Sequence, residues 1–229
     1  MSAYAYHHAF YTPPVEGVAN AGNAAGTGTA YGATANVQAH AGHASGTGSA
    51  YGAGATITKD ISYVGGDTAG GNLAALALTW PNTDADDVAY IFWTFQNTTT
   101  PTPDPPTGWT QVATNDGSGG NPRTYILRKV CTGSESGDET ITVITINQQS
   151  AVLAVYRGVS TSTPEDSAPS VDTTHSTGTT HNNPAETTVS ANCAIVTSIH
   201  ERATNIDTSW TPPSGYVERG DTLSLATGS

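Results

Sequence analysis

The chain has 229 residues, with seven Lys and Arg against nineteen Asp and Glu, for a net charge of −12. A field of that sign repels phosphate backbones and anionic lipid, which sets nucleic-acid binding and docking on a membrane surface aside. Only 11% of the residues are charged and 36% hydrophobic; the deficit is filled by Thr, Ser, Asn, Ala and Gly, a composition that suits half-exposed strands better than disorder, which needs high net charge per residue.

Residues Met1–Phe10 lack the basic region and the continuous apolar run of a signal peptide. No apolar run approaches the roughly 18 residues that a membrane-spanning helix requires. Synthesis in the cytoplasm and release by lysis is the expectation these two observations leave.

Residues 1–55 are dominated by Ala, Gly, Thr and Tyr and contain an internal repeat. Ala21–Ala35 reads AGNAAGTGTAYGATA and Ala41–Ala55 reads AGHASGTGSAYGAGA, in a twenty-residue register. Two copies are too few for a solenoid. Glycine and alanine offer little side chain to bury, so the segment cannot offset its own ordering entropy. The expectation is an extended N-terminal arm that docks on neighbouring subunits, with Tyr31 and Tyr51 as one anchoring ring per repeat.

From residue 56 to 229 the pattern changes to short runs of strand type bounded by turn residues. Strands are predicted over Thr56–Tyr63, Asn72–Thr79, Val88–Phe95, Trp109–Thr114, Thr124–Cys131, Thr140–Ile146, Ala151–Tyr156, Thr187–Ser190, Ala194–His200, Tyr216–Glu218 and Thr222–Ala226. Turns are predicted at Gly65-Gly66-Asp67, Pro81-Asn82, 116–120, Gly133–Gly137 and Asn182-Asn183-Pro184. Such a succession indicates an all-β fold, an antiparallel β-sandwich of jelly-roll type. Ile144 breaks the Thr/Ile alternation of 140–146 by one position, the mark of a bulge. Asn72–Trp80 has the Ala and Leu content of a helix but lies between Gly-Gly and Pro and reads better as a buried strand. Leu223 and Leu225 open a last alternating strand, either an edge or one cut short.

Cys131 and Cys193 both sit in apolar strand-like runs. Two cysteines do not make a disulfide scaffold; they read as buried free thiols, and a single bridge is also compatible with the sequence.

Catalytic and metal chemistry finds no motif. There is no G-x-S-x-G elbow for a hydrolase. The carboxylates that could pair for glycosidic chemistry are Asp86, Asp87, Asp138, Glu139, Glu165, Asp166 and Glu201, and nearly all lie in Gly-, Ser- or Pro-rich loops as solvated turn residues do. His40 and His43 lie in the repeat, and His175 and His181 in a polar loop; one chain offers no closed set of four ligands, although a threefold axis would supply three copies of one histidine. Asp84, Asp86 and Asp87 suggest calcium but lack the glycine and distal glutamate of the twelve-residue loop. No cofactor fingerprint occurs, since Gly-Thr-Gly is not followed by a helix. Trp109, Trp210 and Tyr216 sit beside turns, with Asn205 and Asp207 nearby. They read either as plugs closing the sandwich end or as an exposed platform for a glycan.

The order of segments over 72–160 forms a pattern: NLAALALTW, then DDVAYIFWTF, then a Pro-rich loop ending in P-P-T-G-W-T at Pro105–Thr110, then T-Y-I-L-R-K-V, and finally A-V-L-A-V-Y-R-G-V at Ala151–Val159. Pro212-Pro213-Ser214-Gly215-Tyr216 repeats the Pro-Gly-aromatic turn, as if two related turns closed one end of the sandwich. The chain resembles β-sandwich modules of phage virion proteins, especially minor tail and fibre-type proteins of phages infecting actinobacteria. The resemblance implies a non-enzymatic virion component, homo-oligomeric (a trimer is the first expectation), associated with other virion proteins and in some cases touching host-surface glycans. A capsid decoration protein, a host-glycan adhesin and, from the enzyme class, a cell-envelope hydrolase are the alternatives.

Overall fold

The computed structural model describes residues 5–12, 60–96, 104–115, 122–171, 185, 187–190, 192–203 and 211–224. Eight strands follow in order: β1 Ala5–Thr12, β2 Ser62–Thr79, β3 Ala85–Gln96, β4 Thr110–Asn115, β5 Pro122–Thr132, β6 Asp138–Arg157, β7 Thr197–Ala203 and β8 Val217–Ser224. Among the described residues there is no helix, and the fold is all-β, as expected. All pairings are antiparallel. They build a five-stranded sheet, β2-β6-β3-β5-β4, and a three-stranded sheet, β7-β1-β8.

The centre of the larger sheet explains the apolar runs DDVAYIFWTF and AVLAVY. Successive side chains of a strand point to opposite faces, and a strand covered on both faces needs apolar residues at every position. Ala89, Ile91, Trp93 and Phe95 join Leu127, Leu153 and Val155 in one buried cluster, while Phe92, Val152, Ala154 and Tyr156 form a second.

The first cluster is covered by the same sheet folded back on itself. β2 and β6 make a long ribbon whose register breaks between Leu73 and Ala75, opposite Asn147 and Thr142. Beyond this crease, Leu76, Leu78, Ile141 and Val143 lie over Ile91, Trp93 and Leu127. The doubling back brings the Thr79 amide 2.6 Å from Asp67 Oδ2. Trp80 arrives at the start of β4, stacked on Trp109 with centroids 5.8 Å apart. The sheet is thus curled into a half-barrel. The bulge expected at Ile144 falls within the crease, and the two strands predicted over 140–146 and 151–156 are one continuous β6.

Gly65-Gly66-Asp67 is not a turn but part of β2. The glycines there allow close approach: a Cβ at Gly65 would lie 2.8 Å from Pro81 Cβ, and one at Gly66 would lie 2.0 Å from the Leu153 carbonyl oxygen. Thr187–Ser190 forms no strand, and the last two predicted strands merge into β8 over its described residues.

The second cluster is covered by the three-stranded sheet. A Cβ on Gly220 of β8 would meet Val152 Cγ1 at 2.8 Å and Thr68 Cγ2 at 3.0 Å, so the layers touch there at backbone distance. The central strand of this cover is β1, which corrects the division at residue 55. Residues 5–12 belong to the sandwich, and their Tyr-His-His-Ala-Phe-Tyr run takes its order from β7 and β8 on either side. The residues between Thr12 and Ser62 therefore connect β1 to β2. The two ends of this connector lie at one pole: Thr12 pairs with Val217, and Tyr63, at the start of β2, donates its hydroxyl to the Arg219 carbonyl at 3.4 Å.

Candidate functional site

The two Pro-Gly-aromatic turns are the same structure. The Trp109 amide donates to the Pro106 carbonyl at 3.0 Å, and the Tyr216 amide to the Pro213 carbonyl at 3.0 Å. Gly108 and Gly215 take φ of 85° and 86°, a left-handed conformation that glycine adopts at no steric cost. The turns open strands of different sheets, β4 and β8. Of the two readings of Trp109, a plug or an exposed glycan platform, burial fits only the first: the residue is 7% exposed and stacks on Trp80. Tyr216 is half-buried. Trp210, Asn205 and Asp207, and the arm anchors Tyr31 and Tyr51, lie outside the described residues, as do His40, His43, His175 and His181.

The aromatic that lines a depression is Trp80, which the sequence reading placed in the buried strand Asn72–Trp80. It lines a shallow depression of about 320 Å³ together with Lys129, Thr132, Ser134, Glu135, Ser136, Asp138 and Glu139. The indole is fixed by its stack on Trp109 and by the bond from its amide to the Gly137 carbonyl at 2.9 Å. Lys129 Nζ lies over the ring at 5.0 Å, a cation–π contact, and 3.6 Å from Glu135 Oε1. Glu135 is also the organiser of its own turn. Burial opposes its charge, but the amides of Thr132 and Gly133 and the Thr132 hydroxyl donate to it and hold its carboxyl down to about 2. The depression offers an aromatic wall and a rim of hydroxyls and carboxylates; its excess of negative over positive groups disfavours anionic ligands.

The acidic run at 84–87 has its cation already. Asp87 is buried, and Arg157 meets it through Nε at 2.9 Å and Nη2 at 2.8 Å, in the two-pronged geometry that suits guanidinium and carboxylate. The same Nη2 reaches Asp84 Oδ2 at 2.8 Å, and the hydrogen bonds to Asp87 hold the Arg157 charge more firmly than usual. Arg157 thus answers the charge of Asp84 and Asp87, in a run that lacks the glycine and distal glutamate of a calcium loop. The Tyr-Arg-Gly end of β6 thereby acquires a role. Tyr156 packs in the core, Arg157 clamps the β2–β3 loop, and Gly158, at φ 86°, passes so close to Asp60 that a Cβ would lie 2.4 Å from its carbonyl oxygen.

Three of the other carboxylates considered for paired chemistry, Glu165, Asp166 and Asp138, are also tied into the scaffold. Glu165 accepts from the Tyr90 hydroxyl at 3.1 Å and is ion-paired with Arg128, which pins the segment after β6 to the large sheet. Desolvation, and then Glu165, drive the Tyr90 hydroxyl well above its ordinary value. Asp166 accepts from the amides of Ser190 and Val189 and is held down to about 2. Asp138 accepts from Thr79 Oγ1 at 2.9 Å. Among the described residues no group of three His, Cys, Asp or Glu could hold a metal ion.

One constellation escaped the sequence reading because its members are 106 residues apart. His200 of β7 meets Thr94 Oγ1 of β3 through Nδ1 and Ser198 Oγ through Nε2 at 3.0 Å, and Thr94 Oγ1 is 3.1 Å from Thr124 Oγ1. The connectivity is that of a nucleophile, a base and an orienting group. Burial, however, lowers the imidazole to about 3, which makes it a weak base toward a serine proton near neutrality. These hydrogen bonds link β7 of the small sheet to β3 of the large one. Cys131 and Cys193 are both free; Cys131 is buried and Cys193 half-buried. Comparison of the chain with known families, with curated proteins and with solved structures finds no match.

Proposed function

We propose that this chain is a bacteriophage virion structural protein, a minor tail or fibre-type component whose work is assembly. The observation that carries the reading is the union of a weakly charged all-β body with a Gly/Ala/Thr/Tyr connector of 49 residues between Thr12 and Ser62, held at both ends by that body. A connector of this composition gains little by packing on itself. Adjacent protein offers its small residues a surface to lie against, and each repeat has one tyrosine ring to bury there. The ionised side chains fit the same reading, for Asp87, Glu135, Glu165 and Asp166 are engaged in clamping loops and closing turns. The sandwich faces outward with its Thr- and Asn-rich surface, and contact with host glycans is a secondary role.

Immunogold electron microscopy tests this directly, with antibody raised against the purified chain and applied to phage particles whose genome encodes it. Label at the tail is the expected result. Label spread over the head makes the chain a capsid decoration protein instead. Unlabelled particles, with the chain recovered only from the lysate, overturn the reading.

A further inference from the structure

We infer that β1 is an exchangeable strand: the Ala5–Thr12 segment that fills the slot between β7 and β8 is supplied by a second copy of this chain when copies stand side by side. The inference deepens the reading of the chain as an assembly component and rests on it.

The topology carries the argument. In the order β7-β1-β8, β7 and β8 pair with β1 and, among the described residues, with no other strand. The register runs from Ala5↔Ala203 to Tyr11↔Thr197 on one side and from Tyr6↔Ser224 to Thr12↔Val217 on the other. The small sheet is therefore incomplete without this strand, and two unpaired edges would face each other across an empty slot. An extended segment adding to such edges is a general mode of recognition in which main-chain hydrogen bonds supply the affinity.

The connector supplies the reach. The 49 residues between Thr12 and Ser62 span at most about 170 Å. A sandwich of this size has a radius of gyration of about 16 Å, so a neighbour's slot lies within range. Exchange replaces each β1 pairing by an identical one, so its balance depends on linker and concentration rather than on contacts. A chain alone holds its own strand at an effective concentration on the order of millimolar or below. Copies fixed next to one another in a particle see each other's strands at a comparable level.

The test uses the full chain carrying Cys193→Ser, which leaves only the buried Cys131. Ala9 and Ile199 are register partners. Ala9→Cys chains and Ile199→Cys chains are mixed at high concentration, incubated and oxidised. The expected result is a disulfide-linked heterodimer on a non-reducing gel, and intermolecular bonding of the double variant that rises with concentration. The proposal is overturned if the double variant closes only within one chain at every concentration and the mixture yields no heterodimer. Should the Ile199 variant fold poorly, Ala9→Cys with Asp221→Cys, partners on the β8 side, asks the same question with the same two outcomes. Absence of exchange together with gold label on the tail would remove the swap and leave the virion assignment standing.

Discussion

Trp93 Nε1 donates to the side-chain oxygen of Gln149 at 2.9 Å, in a site where both residues are fully buried. The Gln149 amide nitrogen continues to the Leu73 carbonyl at 2.9 Å, next to the break in the β2–β6 ladder. A single carboxamide thus satisfies an indole on one side and a carbonyl at the crease on the other. Gln149→Leu should leave both buried and unpaired, at a cost of about 2–4 kcal/mol. Urea unfolding checks this; a loss below about 1 kcal/mol would mean that the crease is held by other means.

The Asp87–Arg157 clamp should behave asymmetrically. Arg157→Leu leaves a carboxylate in the interior without its cation, and about 2–4 kcal/mol of destabilisation follows, somewhat below the figure for a fully buried pair because Arg157 retains solvent contact. Asp84→Asn removes only the exposed member of the cluster and should change stability by less than about 1 kcal/mol. Equal effects in chemical denaturation would refute the assignment of Asp87 as the buried anchor.

Stability should decline with acid in two stages. The His200 imidazole lies below its ordinary 6.5, at about 3, when folded. As pH falls, the unfolded chain takes up the proton first, so stability present above 6.5 is lost between 6.5 and 3, by at most about 1.4 kcal/mol per pH unit. Glu135, held at about 2 against an ordinary 4.5, contributes stability above 4.5 that is lost as pH falls through that lower window. In thermal melts across pH 7 to 3, His200→Asn should flatten the upper stage and spare the lower one; an unchanged profile would remove His200 from the explanation.

Two glycines with the same φ should differ in their tolerance of a methyl group. Gly215→Ala meets nothing within 4 Å and carries only the left-handed backbone penalty, about 1–2 kcal/mol. Gly158→Ala adds a clash with the Asp60 carbonyl and should cost at least about 2 kcal/mol more, or prevent folding. Comparable melting temperatures for the two variants would show that Asp60 yields.

The two thiols should separate in native protein. Burial pushes the Cys131 thiol up to about 12, and it should resist a thiol reagent until the chain is unfolded. Cys193 is half-buried and should account for the single equivalent that reacts under native conditions. Two equivalents reacting at once would place Cys131 at a surface.

The central strands were legible because burial on both faces writes an unbroken apolar run: Val88–Phe95 and Ala151–Tyr156 fall inside β3 and β6. The Pro-Gly-aromatic turns were legible because a left-handed position demands glycine. β1 was not. Its Tyr-His-His-Ala-Phe-Tyr run is short, adjoins low-complexity sequence, and gains meaning only from partners roughly two hundred residues away. Gly65-Gly66 misled for a related reason: glycine marks close approach as readily as it marks a turn, and only the position of Pro81 and Leu153 distinguishes them. Trp109 stayed open between plug and platform because the direction in which a turn aims its ring depends on what waits behind it.

The crease in the ribbon has a consequence for how the gene can vary. Between the paired positions on either side of it, two steps along β2 face five along β6, so β6 carries surplus chain there. Slack of that kind absorbs insertions and deletions: lengthening residues 143–146 by one or two would move neither half out of alignment, whereas a single residue inserted at Leu153 would turn every following side chain to the opposite face. Leu73, Ile144 and Ile146, exposed by 50%, 62% and 70%, are then the greasy outer skin of a hinge line, and natural variants of this protein should differ in length there before they differ anywhere else in the ribbon.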